Sequence, residues 1–224
     1  MWIDDQILRR CSEDLAVNCW VPTDFMVVLG ASNSEEIEVD THNCSAERVP
    51  ILKRYGGGGT VVLYPGCAVV SLGCWVRQHF QNKFYFELVN NAVISALGSR
   101  WPELGGLGQS GLSDIVYGDL KVAGTSLFRS RNYLLYQASI LVDCQIEVID
   151  KYLKYPSREP EYRRGRSHKS FLTGLNQLVS GLTAAACVDH LVDNLPTQLK
   201  RLLDAEMISS IPEQWSGLHR RAGL

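Results

Sequence analysis

Two short stretches of this sequence combine residue types that suit an anionic or reactive substrate. The first is Arg54 followed, after Tyr55, by Gly56, Gly57, Gly58 and Gly59. Four consecutive glycines raise the entropic cost of ordering the backbone, so something requires the missing Cβ atoms. Such a loop lets backbone N–H groups approach an anion or a ligand tail closely. It is not a P-loop, because no Gly-Lys-Ser/Thr follows it. It is not a dinucleotide fingerprint either, because the β-branched run Thr60-Val61-Val62 follows where a helix should. The second stretch carries Asp114, then Lys121, then Gly124, Thr125 and Ser126. A lysine in an apolar strand covered on both faces must pair with an anion. A fixed ammonium opposite an acyl or phosphoryl oxygen stabilises negative charge as it develops. The plainer alternatives are a flexible hairpin turn for the glycines and a solvent-facing edge lysine for Lys121.

Several elements must position these residues. The apolar spacing of Ile3, Ile7, Leu8, Cys11 and Leu15 predicts a helix over residues 2–19. Strands are predicted over 24–29, 49–52, 60–64 and 67–72, with a turn at Pro65-Gly66. A polar segment, 31–48, reads as loop plus a short element. Residues 84–97 have helical spacing and stop at Gly98. The glycine-rich stretch 100–113 reads as loop. Gly118-Asp119 marks a hairpin between 114–117 and 120–123, and strands continue over 125–131 and 134–142. From Ile146 the pattern turns helical up to Pro156, and a basic loop runs over 157–169. Helices are predicted over 171–181, 184–193 and 197–208, the last capped by Thr197 after Pro196. Strands and helices that do not alternate regularly imply an α+β fold with a mixed sheet flanked by helices.

Composition narrows the class. The chain has 224 residues, 46% hydrophobic and 21% charged, with net charge −2. These values suit one globular domain with a sizeable core. They exclude disordered, collagen-like and coiled-coil chains, and give no basic excess of the kind that binds nucleic acid. The seven cysteines (11, 19, 44, 67, 74, 144 and 187) are odd in number and form no Cys-x-x-Cys pair. They read as reduced, mostly buried thiols of a cytoplasmic protein, without a disulfide framework or structural zinc. No apolar run spans a membrane, and the first residues show no signal-peptide pattern.

The segments 53–61 (Lys-Arg-Tyr-Gly-Gly-Gly-Gly-Thr-Val), 111–115 (Gly-Leu-Ser-Asp-Ile) and 118–126 (Gly-Asp-Leu-Lys-Val-Ala-Gly-Thr-Ser) together resemble the lipoate–protein ligase family. That family groups with biotin ligases and octanoyltransferases. Residues 27–30, 139–143 and the stretch from Tyr152 to Thr173 add to the likeness, which covers about residues 20–180 and is more specific than any single motif. The resemblance implies the biotin/lipoate-protein ligase catalytic-domain fold. It implies a reaction in which lipoate or octanoate and Mg2+-ATP give an acyl-adenylate. The acyl group then passes to a lysine of a lipoyl carrier domain, of the 2-oxoacid dehydrogenase or glycine-cleavage H-protein type. By the family pattern Arg54 and Gly56, Gly57, Gly58 and Gly59 line the acyl and adenylate site. Lys121 is the catalytic cation on the acyl carbonyl and phosphate oxygens. Asp114, Gly124 and Thr125 belong to the same binding set, and no metal ligand is assigned.

The sequence departs from the family pattern in places. Lys53-Arg54 stands for Arg-Arg, Gly56 for a serine, Leu63-Tyr64 for a His-Asp pair, Tyr136-Gln137-Ala138 for His-His-Gly, and Leu112-Ser113 for the Arg-Asn before the aspartate. One alternative activity is ATP-independent transfer of octanoyl or lipoyl groups between carriers. It would use a cysteine thioester, yet residues 98–120 hold no cysteine, and Cys144, Cys67 and Cys74 read as apolar strand positions. A second alternative is a non-catalytic paralogue that binds the acyl ligand or the carrier. Arg158, Arg163, Arg164, Arg166 and Lys169 form either a solvated charged loop or a docking surface for an acidic carrier. His42, His79, His168 and His190 have no metal-ligand spacing. The expected organisation is a catalytic domain over 1–183 and a helical extension over 184–224, short of a full accessory domain; if ATP-dependent activation needs that piece, it comes from a separate accessory chain, or the protein starts from an already activated acyl group.

Overall fold

The computed structural model describes residues 3–10, 13–77 and 81–203. Cys11, His79 and the residues from 204 onward, including the end of the helix expected over 197–208, lie outside the described residues.

A large antiparallel sheet forms the backbone of the fold. Its strands are β1 (Leu15–Trp20), β5 (Cys67–Trp75), β9 (Tyr133–Leu141), β8 (Leu120–Ser130), β7 (Asp114–Tyr117) and β6 (Leu107–Ser110), adjacent in that order. A smaller mixed sheet holds β2 (Met26–Leu29) between β3 (Ile51–Lys53), parallel to it, and β4 (Val61–Leu63), antiparallel to it. The expected α+β fold with sheet flanked by helices is therefore present, with the strands divided between two sheets.

Helices α4 (Asn82–Arg100) and α7 (Ala184–Leu203) pack together over one face of the large sheet. The other face looks toward the small sheet. Strand β5 is consequently buried along its whole length. Ala68, Val70, Leu72 and Cys74 point into the core under the helices, while Cys67, Val69 and Trp75 belong to clusters on the opposite side. Cover on both faces explains why β5 reads as a continuous apolar run instead of an alternating one. On α7, Cys187, Leu191, Leu195, Leu199 and Leu203 recur every fourth residue, and all are fully buried. Each such leucine contributes about 2 kcal/mol of burial.

Four expectations are corrected. The helix over 2–19 is confined to α1 (Asp5–Leu8), and its second half is strand β1, because Ala16 alternates with half-exposed neighbours in register with β5. The loop over 100–113 contains a 3-10 turn, Pro102–Gly106, and edge strand β6, whose weak side chains hid a backbone ladder to β7. The helix over 171–181 is replaced by the short α6 (His168–Phe171) and a 3-10 turn, Leu175–Gln177. The two C-terminal helices are one. Pro196 lies inside α7, and the leucine stripe on both sides of it outweighs one missing backbone bond. The polar segment 31–48 folds as α2 (Glu35–Glu38) and α3 (Thr41–Ala46), and α5 (Ile146–Tyr152) follows β9.

Candidate active site

A cavity of about 1300 Å3 opens between the two sheets. One part of its wall is apolar: Val28, Leu52, Val61 and Leu63 from the small sheet face Trp20 and Val69 from the large one. The floor changes character across the large sheet. Asn18 on β1, Ser71 on β5, Gln137 on β9 and Ser126 on β8 are successive cross-strand neighbours, and all four line the cavity. This row is a polar stripe of hydrogen-bonding groups across the cavity floor.

Lys121 lines the same cavity. Its Nζ lies 2.8 Å from Asp114 Oδ1, with side-chain exposures of 24% and 13%. Asp114 also accepts a 2.8 Å hydrogen bond from the Tyr162 hydroxyl on its other oxygen. The approach of Lys121 depends on a β-bulge. Ile115 pairs with Ala123 and Val116 with Lys121, so β8 carries one extra residue, Val122, at this point. The bulge shifts the alternation of side chains. Lys121 and Gly124, an odd number of residues apart, therefore both line the cavity. A Cβ on Gly124 would stand 3.3 Å from the Lys121 ammonium, so the glycine keeps the space around the charge open. Thr125 donates from Oγ1 to the Ser113 carbonyl at 2.6 Å, fixing the residue before Asp114.

The glycine loop closes the other side. Arg54, only 6% exposed, threads its guanidinium under the loop. It donates to the Gly57 carbonyl from Nη2 at 2.8 Å and from Nε at 3.3 Å, to the Gly59 carbonyl at 2.6 Å and to the Val28 carbonyl at 3.4 Å. Burial pushes Arg54 down to about 10, against the raising effect of the Asp4 carboxylate, so it stays charged at neutral pH. Asp4, nearly fully buried, accepts from the Tyr55 N–H at 2.6 Å and from the Gln137 carboxamide, tying the loop to the sheet floor. Gly58 adopts φ +93°, a conformation open to glycine. Gly56 packs against Ser126, whose Oγ would lie 2.8 Å from an added Cβ.

Of the nine residues proposed from sequence, Arg54, Gly58, Gly59, Asp114, Lys121, Gly124 and Thr125 line this one cavity, whereas Gly56 and Gly57 lie outside its lining. Sequence reasoning missed Asp4, Asn90, Gln137 and Tyr162, which hold the set in place. Asn90, fully buried in α4, donates to the Ser113 carbonyl at 3.0 Å and to Gln109 at 2.7 Å, and accepts from the Tyr136 hydroxyl at 2.6 Å. The only sequence signal for it was a polar residue on the buried face of a helix. The basic loop is corrected in part. Arg163 is buried between Tyr155 and Phe171, and Arg166 lies over Phe171 and pairs with Asp119, while Arg158, Arg164 and Lys169 are exposed. Tyr64, at the family's His-Asp position, is buried, and its hydroxyl bonds the backbone of Asp143 and Gln145.

The thiols are quiet. The six described cysteines are free, and none lines the cavity. Burial pushes Cys19, Cys67, Cys74 and Cys187 up to about 12 and Cys144 up to about 11. Among the described residues no group of three His, Cys, Asp or Glu side chains is placed to hold a metal ion. The two oxygens of Asp114 are already engaged, so a divalent cation here would arrive with its phosphate ligands. No helix of the described residues is long and apolar enough to cross a membrane.

A two-sheet α+β domain that brings a cation and an apolar wall to one cavity can accommodate an amphipathic acid. The chain belongs to the family described as the lipoyl protein ligase A/B catalytic domain, whose pattern matches residues 1–196. It is similar to the inactive lipoate–protein ligase 2 of Plasmodium falciparum, 24% identical over 180 residues covering 66% of this chain and 47% of that protein. It is also similar to lipoate–protein ligase 2 of Staphylococcus aureus, 28% identical over 144 residues covering 63% of this chain and 40% of that protein. The chain thus spans less than half the length of these two curated relatives. In fold it is similar to a bipartite lipoate protein ligase of Thermoplasma acidophilum, studied with its E2 lipoyl domain, at TM-score 0.71, 21% identity, 97% of this chain and 84% of that one. A structure of lipoate–protein ligase A bound with ATP gives TM-score 0.69, 20% identity, 97% of this chain and 85% of that one.

Proposed function

We propose that this chain joins lipoate or octanoate to ATP as an acyl-adenylate and passes the acyl group to a lysine of a lipoyl carrier domain. The observation that carries the reading is the Lys121–Asp114 pair in a cavity that also has an apolar wall. The apolar wall suits the acyl tail, gaining about 0.8 kcal/mol for each CH2 buried. Lys121 neutralises charge on the carboxylate and phosphate oxygens as the anhydride forms, and Asp114 holds the ammonium in position. The volume, about 1300 Å3, exceeds the roughly 300–1000 Å3 usual for one small ligand and leaves room for a nucleotide beside the acyl chain. Lys154, Arg158 and the backbone of Gly58 and Gly59, all lining the cavity, are the groups available to a polyphosphate. Mg2+ supplies charge neutralisation on the phosphates when it arrives with ATP. The loop clamped by Arg54 shields a water-labile anhydride. No protein nucleophile is required, in keeping with thiols that burial has raised to about 11 and 12. A soluble, cytoplasmic setting with reduced cysteines belongs to the same reading.

The test gives purified protein lipoate or octanoate, Mg2+-ATP and an apo carrier domain, and follows pyrophosphate release and carrier mass. ATP-dependent acylation is the expected result. Transfer from an acylated carrier without ATP would replace this reading with a carrier-to-carrier transferase. No transfer from either donor would leave a binding protein.

A further inference from the structure

The acceptor amine raises a problem that the Lys121 end of the site does not solve. A lysine side chain, with a pKa of about 10.4, is almost entirely protonated at neutral pH and cannot attack a carbonyl until it loses a proton. A second cation beside the acyl group would not remove that proton.

His168 occupies a position suited to the task. It begins α6, and Leu172, just past the end of that helix, is bridged in parallel to Lys121, with Thr173 N–H donating to the Lys121 carbonyl at 3.0 Å. His168 lines the cavity that holds Lys121, and its side chain is 12% exposed. Its Nδ1 lies 2.6 Å from Asp150 Oδ1 on α5. Asp150 is exposed and pairs with no other charged side chain among the described residues, so its carboxylate is available to orient the ring. A carboxylate on Nδ1 keeps the proton on that nitrogen and leaves the Nε2 lone pair free, and it stabilises the imidazolium once Nε2 is protonated. Among the described residues Nε2 takes no hydrogen bond.

We propose that His168 is the general base for the acceptor lysine, with Asp150 as its positioning residue. The inference rests on the acyl-transfer reading above. One ammonium proton passes to Nε2 as the lysine nitrogen attacks the acyl carbon. The new C–N bond forms, and the C–O bond to the adenylate phosphate breaks with its electron pair on the phosphate oxygen. The remaining excess proton leaves the nitrogen for that phosphate or for water, and imidazolium returns its proton to solvent. Asp150 faces His168 from α5. The same cavity is lined by Lys121 with Asp114, and by Lys154, Arg158, Glu159 and Arg163, while Lys169 follows His168 on α6.

The test separates this step from activation. Wild type and the variants His168→Gln and Asp150→Asn are loaded with acyl-adenylate, with pyrophosphate release recording that step. Each is then mixed with either an apo carrier domain or hydroxylamine, which is neutral at pH 7 and needs no base. His168→Gln is expected to release pyrophosphate and form hydroxamate as wild type does. Its carrier acylation should fall on the order of 100-fold, with loss of the acid limb of the pH profile. Asp150→Asn should move that limb without removing it. Carrier acylation at the wild-type rate by His168→Gln, or an equal loss with hydroxylamine, overturns the assignment. Wild type that releases no pyrophosphate and acylates no carrier overturns the acyl-transfer reading, and this inference with it.

Discussion

Gly30, at the end of β2, lies against Gly58 of the glycine loop so closely that a Cβ on Gly30 would overlap the Gly58 carbonyl oxygen. The contact is backbone to backbone, and the Arg54 guanidinium lies 3.4 Å from the same point. The loop is thus seated on the small sheet with no room for a side chain between them. Gly30→Ala should destabilise the fold by about 2 kcal/mol. It should also lower acyl activation, because the loop must lift from its seat. Thermal unfolding and pyrophosphate release check the two effects.

Lys121→Met keeps most of the volume and removes the charge. Activation should fall about 100- to 1000-fold, as when one donor to developing negative charge is lost. Stability should fall much less, because the Tyr162 bond to Asp114 survives. Full activity in this variant would reject the site as assigned.

Asn90→Ala leaves the Tyr136 hydroxyl, the Ser113 carbonyl and Gln109 short of partners inside the protein. The expected cost is about 2–4 kcal/mol. Asn90 does not itself line the cavity, so its effect on activity should pass through Ser113 to Asp114 and follow the unfolding midpoint. A denaturation curve measured beside the activation rate tests that link.

Arg54→Lys keeps a charge but loses the planar fork that spans the Gly57, Gly59 and Val28 carbonyls. A single ammonium cannot reach all three. About 2 kcal/mol of stability should be lost, and the loop should become more mobile, seen as faster amide exchange at residues 56–59.

The thiols supply a pH prediction. A free thiol has a pKa of about 8.5. Burial raises Cys67, Cys74 and Cys187 to about 12, so the thiolate is scarce below that pH and its fraction grows as pH rises toward it. Alkylation at these three cysteines in the folded protein near neutral pH, read site by site by peptide mass, should run on the order of 1000-fold below a free thiol and rise with pH, whereas the same sites in the unfolded chain should react at the ordinary rate.

The parts of the fold that were readable in sequence are those where local pattern and tertiary environment agree. The 84–97 spacing, the Gly118-Asp119 turn and the apolar run from Cys67 each became the expected type of element, although the helix passes the expected stop at Gly98 and ends at Arg100, because burial of a single face, a primed turn and burial of both faces leave distinct traces. The region around residues 15–20 failed because half-exposed strand positions there also satisfy a helical spacing, and pairing with β5 settled the matter. Edge strand β6 failed because Leu-Gly-Gln-Ser carries little side-chain signal, and its backbone bonds to β7 are invisible to composition.

By itself the sequence determined the chemistry: a four-glycine loop beside an arginine, an Asp and a Lys seven residues apart, and cysteines at apolar positions. The tertiary structure decided the arrangement. Only the bulge at Val122 puts Lys121 and Gly124 on one face, since side chains on a regular strand would alternate away from each other. Only sheet packing brings Asn18, Ser71, Gln137 and Ser126 into one row, because these four residues are distant in sequence and meet through backbone register. His168 and Asp150, on separate short helices, become a pair for the same reason: side-chain proximity across elements is a product of packing, which no local spacing records.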